Sequence, residues 1–157
     1  YTAGSFINSP EKFTPGNNRG LYRTDKFKIG FTICFESIYP SFVRNLSSNG
    51  ADLLINLAND SWFGDGSAPY IQLYALIARA IENRFYILRA ANSGISCIIS
   101  PSGEILSKSS YNTRAMLKSD IYVKKISTIY TKIGNWIIIL AILFILAITT
   151  YSLRRNV

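Results

Sequence analysis

An uncharged run near the carboxyl terminus constrains this chain more than any other sequence feature. Residues 133–153 contain no charged side chain, and residues 136–148 are almost entirely Ile, Leu, Ala and Phe. About 21 such residues are enough to cross a hydrocarbon core of roughly 30 Å as a helix. Trp136 and Tyr151 fit aromatic anchors at the two interfaces. The run therefore predicts one transmembrane helix with a short basic tail within residues 129–157, and a buried core helix is the alternative.

The charges around this run do not orient it. Lys124, Lys125 and Lys132 precede the run, and Arg154 and Arg155 follow it, so the positive-inside comparison is close to even. The formal net charge of +8 suits a domain that lies against anionic lipid. Because the basic residues are scattered and form no long stripe, we expect a membrane partner and no nucleic-acid partner.

The cysteine and histidine content excludes several classes of site. The chain has two cysteines, Cys34 and Cys97, and no histidine. Two cysteines cannot complete the ligand set of a structural zinc, so we expect no metal. The missing histidine also excludes a Ser-His-Asp or Cys-His pair within these residues. If Cys34 is a nucleophile, a group other than imidazole takes its proton.

Residues 1–128 are expected to form an α/β domain. Residues 1–23 are rich in Gly, Pro, Asn and Ser, which is typical of a loop. Alternating or continuous apolar runs predict strands, and a 3.6-residue apolar period predicts helices. These patterns place strands at residues 27–34, 52–58, 86–91, 94–100 and 104–107, and helices at residues 41–48 and 69–84. Strands that alternate with helices indicate a layered α/β architecture.

Cys34 is the candidate nucleophile. It ends a predicted strand just before a turn into a helix, which is how α/β enzymes raise a nucleophile above the sheet edge. The amide of Phe35 would then face a developing oxyanion. The competing interpretation is that Cys34 simply packs, as most free cysteines do. Cys97 lies in mid-strand and fits that packing role.

Two further groups of polar residues are candidates for a supporting or binding role. Glu36 lies two residues after Cys34 and would hold a cation, orient the site or act as a base; alternatively it is a solvated surface charge. The loop at residues 59–65 follows a buried strand, where α/β folds bind ligands. Its candidate substrate-binding residues are Asn59, Asp60, Trp62 and Phe63, unless the loop only caps backbone.

The helix at residues 69–84 carries a pair with a structural interpretation. Glu82 follows Arg79 by three residues, a spacing at which opposite charges support one helix face. Arg89, in the strand that follows, is expected to join strand ends.

Four motifs in order resemble the apolipoprotein N-acyltransferase family of the nitrilase superfamily. The motifs are Ile-Cys-Phe-Glu at 33–36, Asn-Asp-Ser-Trp-Phe-Gly-Asp at 59–65, Arg-Ala-Ile-Glu-Asn at 79–83 and Arg-Ala-Ala-Asn-Ser-Gly-Ile-Ser at 89–96. Residues 13–16 and 101–103 also fit, and the likeness covers about residues 13–107 before the apolar tail. One such motif is weak, but four at natural spacing are specific.

The resemblance implies a fold, a reaction and a location. The fold would be part of a nitrilase-like αββα sandwich followed by one transmembrane helix. The enzyme would sit in a bacterial inner membrane with its domain on the periplasmic side and Arg154 and Arg155 in the cytoplasm. It would move an acyl chain from a phospholipid to the amino group of a diacylglyceryl-cysteine lipoprotein through a thioester on Cys34. No cofactor is expected, and Phe35 and Glu36 would support the nucleophile.

The family's catalytic glutamate and lysine lie further upstream than these residues reach, so the chain alone is expected to be inactive. Two rival functions stay open. One is a nitrilase-superfamily amidase that hydrolyses small amides with the same cysteine. The other is a catalytically incomplete binding module anchored to a membrane.

Overall fold

The computed structural model describes residues 20–64, 66–124 and 126–155, so residues 1–19 of the loop expected at residues 1–23, and the match at residues 13–16, lie outside it. The described elements, in chain order, are β1 (Leu21–Arg23), β2 (Lys28–Ile33), a 3-10 turn (Cys34–Ile38), α1 (Pro40–Ser48), β3 (Leu53–Asn59), a second 3-10 turn (Ser61–Phe63), α2 (Ala68–Asn83), β4 (Tyr86–Asn92), β5 (Cys97–Ile99), β6 (Ile105–Lys108), α3 (Ile129–Ile133) and α4 (Trp136–Arg155). The first 3-10 turn is called the Cys34 turn below.

The six strands form a single mixed sheet in sequence order. β2, β3 and β4 are parallel, whereas β1 pairs antiparallel with β2, and β4, β5 and β6 pair antiparallel in succession. The two parallel connections run through α1 and α2, as parallel neighbours require. β2, β3 and β4 therefore end at one edge of the sheet, which we call the carboxyl edge. The expected layered α/β architecture is confirmed at this level.

The hydrophobic core lies between the sheet and the two helices. Val43 and Leu46 of α1 and Leu76 of α2 pack on Leu54 and Ile87 of the central strands, and all five are fully buried. Each such side chain stabilises the fold by roughly 1.5–3 kcal/mol through removal of apolar surface from water. The helices therefore cover one face of the sheet and fix the positions of its central strands.

The opposite face of the sheet is apolar but only partly covered. Phe31 and Ile55 lie on it half-buried, and Ile33 and Leu57 are exposed. These residues alternate along their strands with the residues that face the helices. In an αββα sandwich this is the face on which a second sheet packs. That second sheet stays a prediction, because the described residues form one sheet and one helical layer.

The predicted elements agree with the observed ones except at two strands. Residues 21–23 belong to the stretch expected to be loop, but they form β1, because they pair antiparallel with residues 28–30 of β2. Residues 94–100 are expected to be strand throughout, but β5 covers Cys97–Ile99. The preceding residues turn instead, because the carbonyl of Ile95 accepts a hydrogen bond from the Arg89 side chain at 3.1 Å. A tertiary contact thus shortens the strand.

The tail consists of two helices separated by a break. α3 (Ile129–Ile133) packs against α1 and α2, and α4 (Trp136–Arg155) begins after Gly134 and Asn135. The side chains described in α4 are exposed on all its faces. Across the described part of the chain, no helix reaches the combined length and hydropathy that a membrane span needs. The transmembrane helix expected within residues 129–157 is therefore not confirmed and stays a prediction.

Candidate active site at the carboxyl edge

Cys34 lies directly after β2 at the carboxyl edge, in the strand-end position expected from the sequence. Its φ angle is +48°, a left-handed backbone that non-glycine residues rarely adopt. Such a conformation costs of the order of 1–3 kcal/mol and persists only where the surroundings enforce it. The residue is partly exposed. The backbone thus turns sharply at a partly exposed cysteine at the carboxyl edge.

Three hydrogen bonds enforce this turn. The carboxylate of Glu36 accepts from the amide of Ile33 at 2.7 Å, and the Ser37 hydroxyl donates to the Cys34 carbonyl at 3.0 Å. From the neighbouring strand, the side-chain amide of Asn56 donates to the same carbonyl at 3.3 Å. Glu36 is exposed and acts here on backbone, so its supporting role has a geometric basis in the shape of the turn.

Asn56 belongs to a row of polar residues on the helix-covered face of the sheet. Thr32, Asn56 and Arg89 lie side by side on β2, β3 and β4 and are all buried. Asn56 donates to the Thr32 hydroxyl at 2.9 Å and accepts from the Arg89 guanidinium at 2.7 Å. Because buried polar groups are costly unless they are hydrogen-bonded, these bonds fix the orientation of the Asn56 amide.

Arg89 connects four parts of the site. Besides Asn56, its guanidinium donates to Asp60 at 2.7 Å, to Gln72 at 3.1 Å and to the carbonyl of Ile95 at 3.1 Å. The Arg89–Asp60 ion pair has no exposed side-chain surface. One guanidinium thus holds β3, the loop after β3, α2 and the turn before β5 in a single arrangement.

Gly94 makes room for this ion pair. A Cβ atom at position 94 would overlap the carboxylate of Asp60. The amide of Asp60 also donates to the carbonyl of Asn92 at 3.0 Å, which ties the loop to the end of β4. The glycine is therefore required by the close approach of two loops at the carboxyl edge.

The loop after β3 brings the remaining candidate residues to the same edge. The side-chain oxygen of Asn59 accepts from the amide of Ser61 at 3.2 Å and from its hydroxyl at 2.8 Å. Trp62 is 85% exposed, and Phe63 is half-buried. The loop thus presents an indole to solvent on the side of the sheet where Cys34 lies.

Cys97 has a different environment from Cys34. It is fully buried in β5, beside Arg89 of β4. Burial raises the pKa of its thiol to about 11, although the nearby Arg89 charge partly offsets this rise. A buried neutral thiol is a poor nucleophile, in agreement with the packing role expected for Cys97.

Comparison with known proteins identifies the family of this fold and site. The carbon-nitrogen hydrolase family model matches residues 6–130, which is most of the chain. The chain belongs to the carbon-nitrogen hydrolase family.

Within that family the chain is similar to proteins named apolipoprotein N-acyltransferase, as the four motifs indicate. It is 41% identical to one from Rickettsia bellii over 147 residues, or 92% of this chain and 29% of the relative. It is 37% identical to one from Geobacter metallireducens, over 78% of this chain and 24% of that protein. The chain thus spans less than a third of the length of these curated relatives.

Solved carbon-nitrogen hydrolase structures share the fold. A carbon-nitrogen hydrolase from Helicobacter pylori superposes with a TM-score of 0.59 at 20% identity, over 66% of this chain and 43% of that one. Nit3 from Saccharomyces cerevisiae superposes with a TM-score of 0.57 at 20% identity, over 67% of this chain and 41% of that one. At this identity the likeness supports the architecture of the sheet and helices alone.

The structure gathers the candidate residues at one edge but gives them unequal surroundings. Cys34, Phe35, Glu36, Asn59, Trp62 and Phe63 are at least partly exposed there, whereas Asp60 is fully buried. One Asp60 oxygen binds Arg89, and the other has no partner among the described residues. This burial favours a positioning role for Asp60 over direct contact with a substrate.

The polar row across β2, β3 and β4 is not predicted from the sequence. The sequence analysis assigns no role to Asn56 and Gln72, and it expects Arg89 only to join strand ends. The available signal was the position of Asn56 and Arg89 within apolar strands that are buried, where a polar side chain needs a partner.

Proposed function

We propose that the protein of which this chain forms part transfers an acyl chain from a phospholipid to the amino group of a diacylglyceryl-cysteine lipoprotein. The name shared by the curated relatives supports this reaction, as do the four motifs. The single observation that carries the proposal is the strained backbone of Cys34, a partly exposed residue with a φ of +48° at the carboxyl edge. Strain of this kind is typical of catalytic positions.

The proposed chemistry has two steps on one sulfur. The Cys34 sulfur attacks the acyl carbonyl of the phospholipid as its proton passes to a glutamate that lies upstream in the family. The carbon–oxygen bond breaks as the glutamate passes this proton to the departing oxygen, which leaves a thioester on Cys34 and releases a lysophospholipid. The lipoprotein amine then attacks the thioester and gives a proton to the glutamate, a carbon–nitrogen bond forms, and the carbon–sulfur bond breaks as that proton returns to the Cys34 sulfur. Covalent catalysis thus divides a transfer between two lipids into two easier steps.

The surface near Cys34 supports a lipid substrate. Phe35, Trp62, Tyr70 and Tyr74 are exposed, and they lie in the Cys34 turn, the loop after β3 and the first turns of α2. Aromatic side chains with a polar edge suit the boundary between acyl chains and water. A hydrolase of small polar amides has no need of this surface. We therefore propose that Trp62 and Phe63 guide acyl chains to Cys34.

α4 supports attachment to a membrane on the same reasoning. Its exposed side chains are almost all apolar, including Ile137, Leu143 and Phe144. Exposure of such a helix to water costs a free energy of about 25 cal/mol for each Å² of apolar surface. We propose that lipid covers α4, that the membrane is the bacterial inner membrane, and that the α/β domain lies on its periplasmic side.

The test uses the full-length protein and a phospholipid with a labelled acyl chain. Without acceptor, mass spectrometry should find the label on Cys34, and addition of a diacylglyceryl-cysteine peptide should remove it. Cys34→Ser should abolish transfer, and the matched variant Cys97→Ser should retain most of it. Turnover by Cys34→Ser would refute the mechanism. Hydrolysis of small amides without acyl transfer would support the amidase, and neither activity would support a binding module.

A further inference from the structure

α3 is held at both ends by side chains of the α/β domain. At its start, the Thr128 hydroxyl accepts from the amide of Thr131 at 2.9 Å and donates to the carbonyl of Glu82 in α2 at 2.7 Å. At its end, the Arg44 guanidinium of α1 donates to the carbonyls of Tyr130 and Thr131 at 3.0 and 3.1 Å. A cation at the end of a helix satisfies carbonyls that have no partner within the helix.

The connection from α3 to α4 passes directly over this guanidinium. Arg44 also donates to the carbonyl of Lys132 at 3.0 Å. Gly134 has a φ of +64°, and a Cβ there would lie 3.0 Å from the central guanidinium carbon of Arg44. α4 begins two residues later, at Trp136. The start of the apolar tail is therefore tied to α1.

A second set of contacts joins α3 to the Cys34 turn. Arg79 of α2 is buried and donates to the carbonyl of Ile38, the last residue of that turn, at 3.2 Å. The same guanidinium pairs with the Glu82 carboxylate at 2.7 Å. Glu82 in turn offers its backbone carbonyl to Thr128. One continuous series of contacts thus runs from the turn through α2 to the start of α3.

The charges around this series are close together and partly removed from water. Burial raises the pKa of Glu82, although the Arg79 charge partly offsets this rise. Burial also raises the pKa of Tyr130 in α3, and the negative charge of Glu82 adds to that effect, whereas Arg79 and Arg44 oppose it. Tyr130 therefore lies within electrostatic reach of the Arg79–Glu82 pair.

We propose that α3 braces the turn that carries the nucleophile and that Arg79 is a positioning residue for Cys34. Arg79 acts through the carbonyl of Ile38, and the docking of α3 keeps the Arg79–Glu82 pair in place. Since α3 leads into α4 within two residues, the position of Cys34 is tied to the position of the apolar tail. The consequence for acyl transfer rests on the proposed function, but the effect on the Cys34 thiol does not.

The first test measures how fast iodoacetamide alkylates Cys34 in the full-length protein. Arg79→Gln removes the contact with Ile38, and Thr128→Val removes the bond to Glu82 without changing charge. Both should slow alkylation about three- to tenfold, which corresponds to the loss of one net hydrogen bond. The reason is that a looser turn lets Cys34 return to an extended backbone that no longer presents the sulfur at the edge. Acyl transfer should show a similar fall in kcat with KM unchanged.

Matched controls separate positioning from general stability. Thr113→Val and Arg84→Gln remove an exposed hydroxyl and an exposed guanidinium that bind only nearby carbonyls, so alkylation should be unchanged. Arg79→Lys keeps the pair with Glu82 but not the planar fork that also reaches Ile38. It should lower Tm less than Arg79→Gln, which loses the ion pair as well, and still slow alkylation.

If Thr128→Val and Arg79→Lys are both folded and their Cys34 is alkylated at an unchanged or faster rate, the proposal that α3 and Arg79 position the Cys34 turn is wrong. If Arg79→Gln fails to fold, these two variants still decide the question. Slower alkylation in a protein that transfers no acyl group would support the brace and refute the proposed function.

Discussion

The Arg89 guanidinium lies 2.7 Å from the Asp60 carboxylate, and neither side chain has any surface in contact with solvent. The pair links the row of polar residues beneath Cys34 with the loop that carries Trp62. A buried ion pair is weak evidence for stability, because desolvation of two charges offsets much of their attraction. The pair matters here for geometry, since together with Asn56 it holds the loop after β3 in a fixed position relative to Cys34.

Asp60→Asn should destabilise the protein by about 3–5 kcal/mol, because it leaves the charge of Arg89 buried and unpaired. Urea unfolding measures the loss. The double variant Asp60→Asn/Arg89→Gln should lose less than the two single variants together, because the unpaired charge is gone. Arg84→Gln, at an exposed guanidinium, is the control and should change the free energy of unfolding by less than about 0.5 kcal/mol. A loss below about 1 kcal/mol in Asp60→Asn would contradict this account.

Gly94→Ala should destabilise the fold by about 1–3 kcal/mol, because the new methyl group displaces the Asp60 carboxylate. Acyl transfer should fall further than stability alone explains, as Asp60 positions the loop. Thermal unfolding and initial rates of transfer measure the two effects. Gly66→Ala is the matched control, since its Cβ would meet one carbonyl oxygen, that of Phe63, at 3.1 Å. Equal losses of stability and of transfer rate in Gly94→Ala and Gly66→Ala would show that a methyl group at position 94 does not displace the Asp60 carboxylate.

Stability should depend on pH through Cys97. Burial raises the pKa of its thiol from 9.0 to about 11, so the folded state keeps a proton that the unfolded chain releases. This contribution is complete below pH 9 and is lost as the pH rises towards 11. The full loss is at most about 3 kcal/mol. Urea unfolding at pH 8 and pH 10.5 should show a steeper decline for the wild type than for Cys97→Ser, and identical declines would contradict the assignment.

Trp62→Ala should weaken the use of phospholipid donors about tenfold, or roughly 1.4 kcal/mol, and leave the alkylation of Cys34 nearly unchanged. The reason is that we propose the exposed indole to contact acyl chains, whereas it takes no part in the Cys34 turn. Rates with vesicle-borne donor and with iodoacetamide measure the two effects. Tyr22→Ala, at an exposed aromatic residue of the edge strand β1, is the control. An equal fall in both rates for Trp62→Ala would assign the loop a structural role and favour an amidase.

The sequence predicts secondary-structure elements better than it predicts which side chains bind one another. The apolar runs around Cys34, Leu54 and Ile87 locate the parallel strands because burial leaves a period in the sequence. The arrangement of Cys34 and residues 59–63 at one edge follows, since parallel strands end together. The bonds of Arg89 do not follow, because its four partners lie 6 to 33 positions away and leave no local pattern. For the same reason the contact of Arg44 with α3, 86 to 88 positions away, is invisible in the sequence.

The contrast between the two cysteines allows local unfolding of the chain to be followed by thiol labelling. Cys34 is partly exposed, whereas Cys97 has no exposed surface in β5, between β4 and β6. A thiol reagent therefore modifies one sulfur in a folded chain and the second only after β5 separates from its neighbours. The mass of each modified molecule then records whether the sheet has opened during the labelling time. Local unfolding can thus be timed in the native sequence, without an introduced probe.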